Sequence, residues 1–159
     1  MQEAAIRALA EIKKGPAKIF SVGRVLRREA IDYKHLPEFF QVDGIVVDAE
    51  ASLASLFGTM GAFLTALGFS KFEFRPDFFH YTEPSAGVFV WNDKRRDWFE
   101  LAGSGIFRPE VVEPLGCTEP VLAWGFGLDR LAMVMYGLSD IRDLYIVDLE
   151  WLKGVPVCR

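Results

Sequence analysis

Arg27 and Glu29 stand two residues apart at the end of one β-prone run, and Phe39, Gln41 and Asp43 stand two apart along the next. Strand side chains alternate between faces, so each set shares a side, and antiparallel pairing gathers all five on one open face of a sheet. Arginine clamps a phosphate through two parallel charge-assisted hydrogen bonds, an aromatic ring stacks on a base, and carboxylates or amides hold an amino group. That combination suits a nucleotide together with an amino compound. The same residues also suit a solvated sheet face with an ordinary Arg-Glu pair, since such pairs are common and weak, and composition leaves both readings open.

A second constellation, Gly125-Phe126-Gly127-Leu128-Asp129-Arg130, follows a buried-type strand from Val121 and opens a helix. It puts Arg130 in the first helical turn, where the dipole disfavours a cation unless an anion such as phosphate pairs with it. A dinucleotide fold is excluded because the third glycine and the βαβ unit are missing. A phosphate-binding loop is excluded because no Gly-Lys-Ser/Thr follows.

The elements that must carry these groups are legible in outline. Strands are expected over 18–28 and 39–48, joined by a charged link (30–38) holding Asp32, Lys34, His35 and Pro37, the setting of a mobile closing loop. Amphipathic spacing predicts helices over 2–14 and 49–67, the second capped by Asp48 and ended by Gly68. Gly58 and Gly61 within it are read as close-packing points. The stretch 69–81 is aromatic and irregular around Pro76; strands over 87–91 and 98–104 form a second hairpin. The tail beyond Leu144 is uninformative.

These signals describe one α+β domain over 1–159, an antiparallel sheet flanked by helices. With 159 residues, 51% of them hydrophobic, the chain is large enough to bury a core without staples. It has no apolar run near the 18 or so residues of a membrane span. Cys117 and Cys158 show no paired spacing, which points to a reducing compartment. With only His35 and His80 as imidazoles, a four-ligand zinc site would consume nearly every Cys and His. A net charge of −4 argues against a broadly basic nucleic-acid surface, and fourteen Phe with four Trp hint that a partner covers part of the apolar surface.

The string Gly23-Arg24-Val25-Leu26-Arg27-Arg28-Glu29-Ala30, with His35, Phe39, Gln41 and Gly44 following, resembles motif 2 (about 20–48) of class II aminoacyl-tRNA synthetases. Specifically it is similar to the α subunit of phenylalanyl-tRNA synthetase, in its archaeal and eukaryotic branch. Gly-x-Gly-x-Asp-Arg resembles motif 3 (about 121–137), and the stretches 79–85 and 100–110 resemble the same subunit. The resemblance implies adenylate formation from ATP and phenylalanine with Mg2+. Arg27 and Arg130 would be the catalytic cations, on the α- and γ-phosphates. Glu29 would meet the adenine region, Phe39 the adenine ring and His35 the outgoing pyrophosphate. Gln41 and Asp43 would hold the amino group, Phe79 and Tyr81 flank the phenylalanine ring, Ala123 floor the pocket and Glu83 contact magnesium.

The implied partners are phenylalanine, tRNA through the full-length enzyme, and a synthetase β subunit or a second copy, with no membrane and a cytoplasmic location. No motif 1, no upstream segment completing the amino-acid site and no tRNA-binding extension are found. The expectation is therefore a core truncated on its N-terminal side and inactive in charging tRNA alone. The alternative is a stand-alone truncated paralogue acting as a non-catalytic nucleotide-binding or interaction module.

Overall fold

The computed structural model describes residues 3–146 and 148–155. Helix α1 (Glu3–Ile12) leads into strands β1 (Ala17–Leu26) and β2 (Glu38–Val47), then helix α2 (Leu53–Ala66). Strands β3 (Phe72–Phe79), β4 (Thr82–Asn92) and β5 (Asp97–Phe107) follow, with the short helix α3 (Pro109–Val112). Strand β6 (Val121–Gly127), helix α4 (Leu128–Tyr136), a 3-10 turn (Ile141–Leu144) and helix α5 (Leu149–Gly154) complete the described chain. The strands form one antiparallel sheet in the order β1-β2-β6-β5-β4-β3, the α+β arrangement expected. Because β6 enters between the two hairpins, Gln41 lies opposite Gly127 and Asp43 opposite Gly125. Stretches some eighty residues apart thus become neighbours.

Alternation along the strands makes two cores. One side of the sheet carries Val46, Val88, Val90, Leu122 and Phe126 against Leu56, Met60 and Leu64 of α2 and Leu131 and Met133 of α4. The opposite side carries Ile45, Val47, Val121 and Ala123 against Ala5 and Leu9 of α1. Each large aliphatic chain so buried contributes about 1.5–3 kcal/mol. Gln41 and Asp43 share a face with Ile45 and Val47, so the polar stretch is the part of the α1 face that α1, a helix of ten residues, does not reach.

Several expectations are corrected. β1 ends at Leu26, so Arg27 and Glu29 lie past the strand, where the Arg27 N–H donates to the Pro37 carbonyl (2.8 Å). Ser52, not Asp48, caps α2: its Oγ accepts the Ser55 N–H (3.2 Å) while Ser55 Oγ accepts the Ser52 N–H (2.9 Å), a reciprocal capping box. Asp48 instead closes the preceding turn on the Glu50 N–H (2.9 Å). Pro76 sits inside β3, tolerated because β3 is an edge strand and a missing N–H there costs no ladder bond. A Cβ on Gly61 would touch the Phe72 ring at 3.4 Å, as close packing requires, but one on Gly58 would meet nothing within 4 Å.

Exposed apolar surface gathers on one side of β1, where Phe20, Val22 and Leu26 share the face with Lys18 and Arg24. Tyr145, which lies within electrostatic reach of Arg24, and Ile146, Leu149 and Leu152 are exposed as well. Among the described residues no helix is long and apolar enough to cross a membrane.

Candidate functional site

The sheet face beyond α1 is hollowed by a row of glycines. Asp43, Gly125, Gly103 and Gly87 lie opposite one another across β2, β6, β5 and β4. All three of these glycines receive side chains of neighbouring residues, Gly87 that of Phe89. A Cβ on Gly125 would stand 2.6 Å from Asp43 Oδ1 and 2.7 Å from Gln41 Nε2, and one on Gly103 would stand 2.6 Å from the Phe79 ring. Only glycine lets those side chains lie down on the sheet. The result is a cavity of about 390 Å3 open along one side.

At its inner end Gln41 donates from Nε2 to Asp43 Oδ1 (2.7 Å), and both side chains are buried. A buried carboxylate keeps its charge cheaply only with such partners. Phe79 stacks on Tyr81 (centroids 6.2 Å apart, planes at 17°) along one wall, and Ala123, 1% exposed, belongs to the floor. Burial raises the Tyr81 phenol above its ordinary pKa, opposed by the charge of Arg27 and reinforced by that of Asp43, so the ring lies within reach of both.

The outer end is cationic and aromatic. The Arg27 guanidinium stands 5.1 Å from the centroid of the Phe39 ring, donates from Nη2 to Gln41 Oε1 (3.2 Å) and faces Glu29 at 3.8 Å. Across the opening, Arg130 donates from Nε to the Lys34 carbonyl (3.3 Å) and faces Glu100 at 3.7 Å. Asp129, beside it and buried, accepts the Phe40 N–H (3.0 Å) and the Tyr145 hydroxyl (2.8 Å), tying the start of α4 to β2. Burial first, and then Asp129, pushes the Tyr145 phenol up.

His35 sits on the rim with its ring bonded to Asp32 (2.8 Å). The Lys34 N–H foremost, then the His35 ring, holds the Asp32 carboxyl below the ordinary carboxylate range. Composition suggests a mobile link, but this loop is tied at three places: Arg27 N–H to Pro37 O, Ile141 N–H to Tyr33 O (2.9 Å), and Arg130 to Lys34 O. Its polar groups find tertiary partners that local sequence cannot reveal.

Arg27, Glu29, His35, Phe39, Gln41, Asp43, Phe79, Tyr81, Ala123 and Arg130 therefore line one cavity. Glu83 does not. Its side chain is 69% exposed and turned to Arg108 (3.4 Å), because the register shifts between Thr82 and Ser85 in β4. Among the described residues no cluster of three or more His, Cys, Asp or Glu could hold a metal unaided. The acid overlooked in the sequence is Glu100, on the cavity wall beside Arg130; only its place on a strand hinted at it.

Residues 1–155 match the family described as tRNA synthetases class II core domain (F). The chain is 54% identical over 145 residues to the phenylalanine–tRNA ligase alpha subunit of Methanocaldococcus jannaschii, covering 91% of this chain and 30% of that one. It is 49% identical over 154 residues to the subunit of the same name from Archaeoglobus fulgidus, covering 97% and 32%. It thus spans about 30% of the length of these curated relatives. A crystal structure of pyrrolysyl-tRNA synthetase from Desulfitobacterium hafniense shares the fold, with a TM-score of 0.66 at 23% identity over 89% of this chain and 50% of that one. A second structure of that protein gives 0.67 at 25% identity over 95% and 52%.

Proposed function

The chain belongs to the class II core family of tRNA synthetases, and on that premise we propose that it is the ATP-binding, adenylate-forming core of a phenylalanine–tRNA ligase α subunit. One observation carries this reading: Arg27 over Phe39 and Arg130 opposite flank one opening, with the buried Gln41–Asp43 pair behind it. In the reading, adenine stacks on Phe39 with its amino group toward Glu29, and Arg27 meets the α-phosphate. Arg130 exchanges its carbonyl contact for the γ-phosphate, and His35 meets the departing pyrophosphate. Gln41 and Asp43 hold the ammonium of phenylalanine, whose ring lies against the wall of Phe79 and Tyr81 above Ala123.

The amino-acid carboxylate oxygen forms a bond to the α-phosphorus as the bond to the bridging oxygen breaks, and pyrophosphate departs with that electron pair. Guanidinium groups on either side, once on the phosphates, stabilise the spreading charge, and holding the two reactants in line supplies the remaining advantage. No protein nucleophile takes part. Magnesium, bound through one or two carboxylates and the substrate's own phosphates, would neutralise charge there, and Glu100 replaces Glu83 as the acid placed to hold it. The further proposals are a cytoplasmic setting, tRNA reached through the longer enzyme, and a partner subunit over the apolar side of β1.

Calorimetry with magnesium-ATP tests the reading. The wild type binds, and Arg130→Ala binds roughly 10- to 100-fold more weakly, the worth of a charge-assisted contact of about 1.5–3 kcal/mol, with little change in melting temperature. A wild type that ignores ATP, or a variant that binds it equally well, refutes it.

A further inference from the structure

A second cavity of about 230 Å3 adjoins the first, and Lys34, His35, Glu100 and Arg130 line both. Its remaining wall comes from the hairpin joining β4 and β5, including Arg95, Asp97 and Trp98, together with Tyr33 from the loop after β1. From this geometry we infer a diphosphate subsite, which receives the pyrophosphate released in the main cavity and has Arg95 as its dedicated cation. The inference rests on the nucleotide reading above and extends it.

Charge is the first argument. Lys34, Arg95 and Arg130 converge on this space, while its two carboxylates are engaged: Asp97 Oδ1 accepts the Trp98 N–H (2.7 Å) and Glu100 faces Arg130. Neither Lys34 nor Arg95 has a carboxylate within ion-pair distance among the described residues. Against these two carboxylates the three cations still leave positive charge in excess, and a diphosphate offers enough oxygens for all three.

Preorganisation is the second. Arg95 donates from Nη2 to the Ser139 carbonyl, and its guanidinium stands 4.5 Å from the centroid of the Tyr33 ring. Lys94 beside it donates to the Gly137 carbonyl (2.8 Å), so the hairpin tip is pinned to the end of α4. A guanidinium held by one nitrogen and one face keeps further N–H groups free to point at a ligand, with little side-chain entropy left to lose. Position is the third. Arg130 stands on the common wall, so an anion leaving its contact in the main cavity has the second directly beside it.

The test is titration of the whole chain, with magnesium present, by inorganic pyrophosphate, AMP and ATP in turn. Arg95→Ala is expected to weaken pyrophosphate about tenfold and leave AMP within twofold, whereas Arg27→Ala, whose residue lines only the main cavity, does the reverse. Because Arg95 also braces the hairpin, Arg95→Gln, which keeps a donor for Ser139 but no charge, must reproduce the loss. Loss in Arg95→Ala but not in Arg95→Gln makes the residue a brace and overturns the inference, as does pyrophosphate binding unmoved by either change, or absent in the wild type. If pyrophosphate binds through Arg95 while AMP and ATP do not bind at all, the nucleotide reading fails and the anion subsite stands.

Discussion

At the inner end of the main cavity Gln41 and Asp43 are 5% and 0% exposed, whereas at the outer end the side chains of Arg27 and Glu29 are 48% and 33% exposed. The inner end is assembled by backbone register. Opposed glycines leave room, and Phe79, Gln41 and Asp43 lie in the space. The outer end is assembled by long charged side chains reaching across an opening, each held by one or two bonds that a ligand can replace. Burial in a low dielectric makes polar contacts strong and their loss expensive, so the inner end suits a small invariant group such as an ammonium. Exposed guanidinium groups exchange partners at little cost, which suits phosphates that arrive, change and leave.

The sharpest way to break this comparison is Gly125→Ala. Its Cβ would force apart the Gln41–Asp43 pair, and overpacking together with a stranded buried carboxylate costs about 2–4 kcal/mol, a fall in melting temperature of roughly 10 °C. Arg27→Ala in the same thermal melts moves it by about a degree, as for other half-exposed pairs. Equal shifts would mean that the two ends are not built differently.

A smaller effect separates the ends by pH. Asp140 bonds through its side chain first, and then through the backbone N–H, to Arg142, which holds its carboxyl down to about 2, below the 3.8 of an unperturbed aspartate. A depressed carboxylate stabilises the fold fully above its unfolded value and loses that contribution as pH falls through the folded one. Between pH 4 and pH 2, then, the turn that ties Ile141 to Tyr33 at the outer end loosens. Carbon NMR of the carboxyl checks this: a midpoint near 4 removes the claim, and Asp140→Asn abolishes the acid-dependent rise in amide exchange at Ile141. Smallest of all, Gly58→Ala on the open side of α2 stabilises by up to about 1 kcal/mol in chemical denaturation and leaves both ends unchanged. A destabilised variant would show that α2 needs that gap.

What the sequence made legible was whatever is written in short-range pattern. Strand parity put Phe39, Gln41 and Asp43 on one face, and Gly-x-Gly-x-Asp-Arg after an apolar strand marked where a helix begins beside them. Whatever depends on distant partners was not. Asp129 reads as a first-turn acid, and nothing local says that Tyr145 will donate to it from a tail without motifs. Glu83, given as the magnesium contact by the resemblance, is turned outward by a register shift in β4 that local sequence does not show. The link after β1 looked mobile because its bonds run to Ile141 and Arg130.

The glycine row also bears on how such a pocket can change over generations. Gly103 and Phe79 are two halves of one contact, as Gly125 is with Gln41 and Asp43, so neither half is free to vary alone. A methyl added at Gly103 needs a smaller ring at position 79, and the smaller ring by itself leaves a hole. Substrate preference in this lineage should therefore drift by paired replacements separated by an unfit intermediate. Arg27 and Arg130, by contrast, would under the proposed reading answer to phosphate chemistry that is the same for every amino acid.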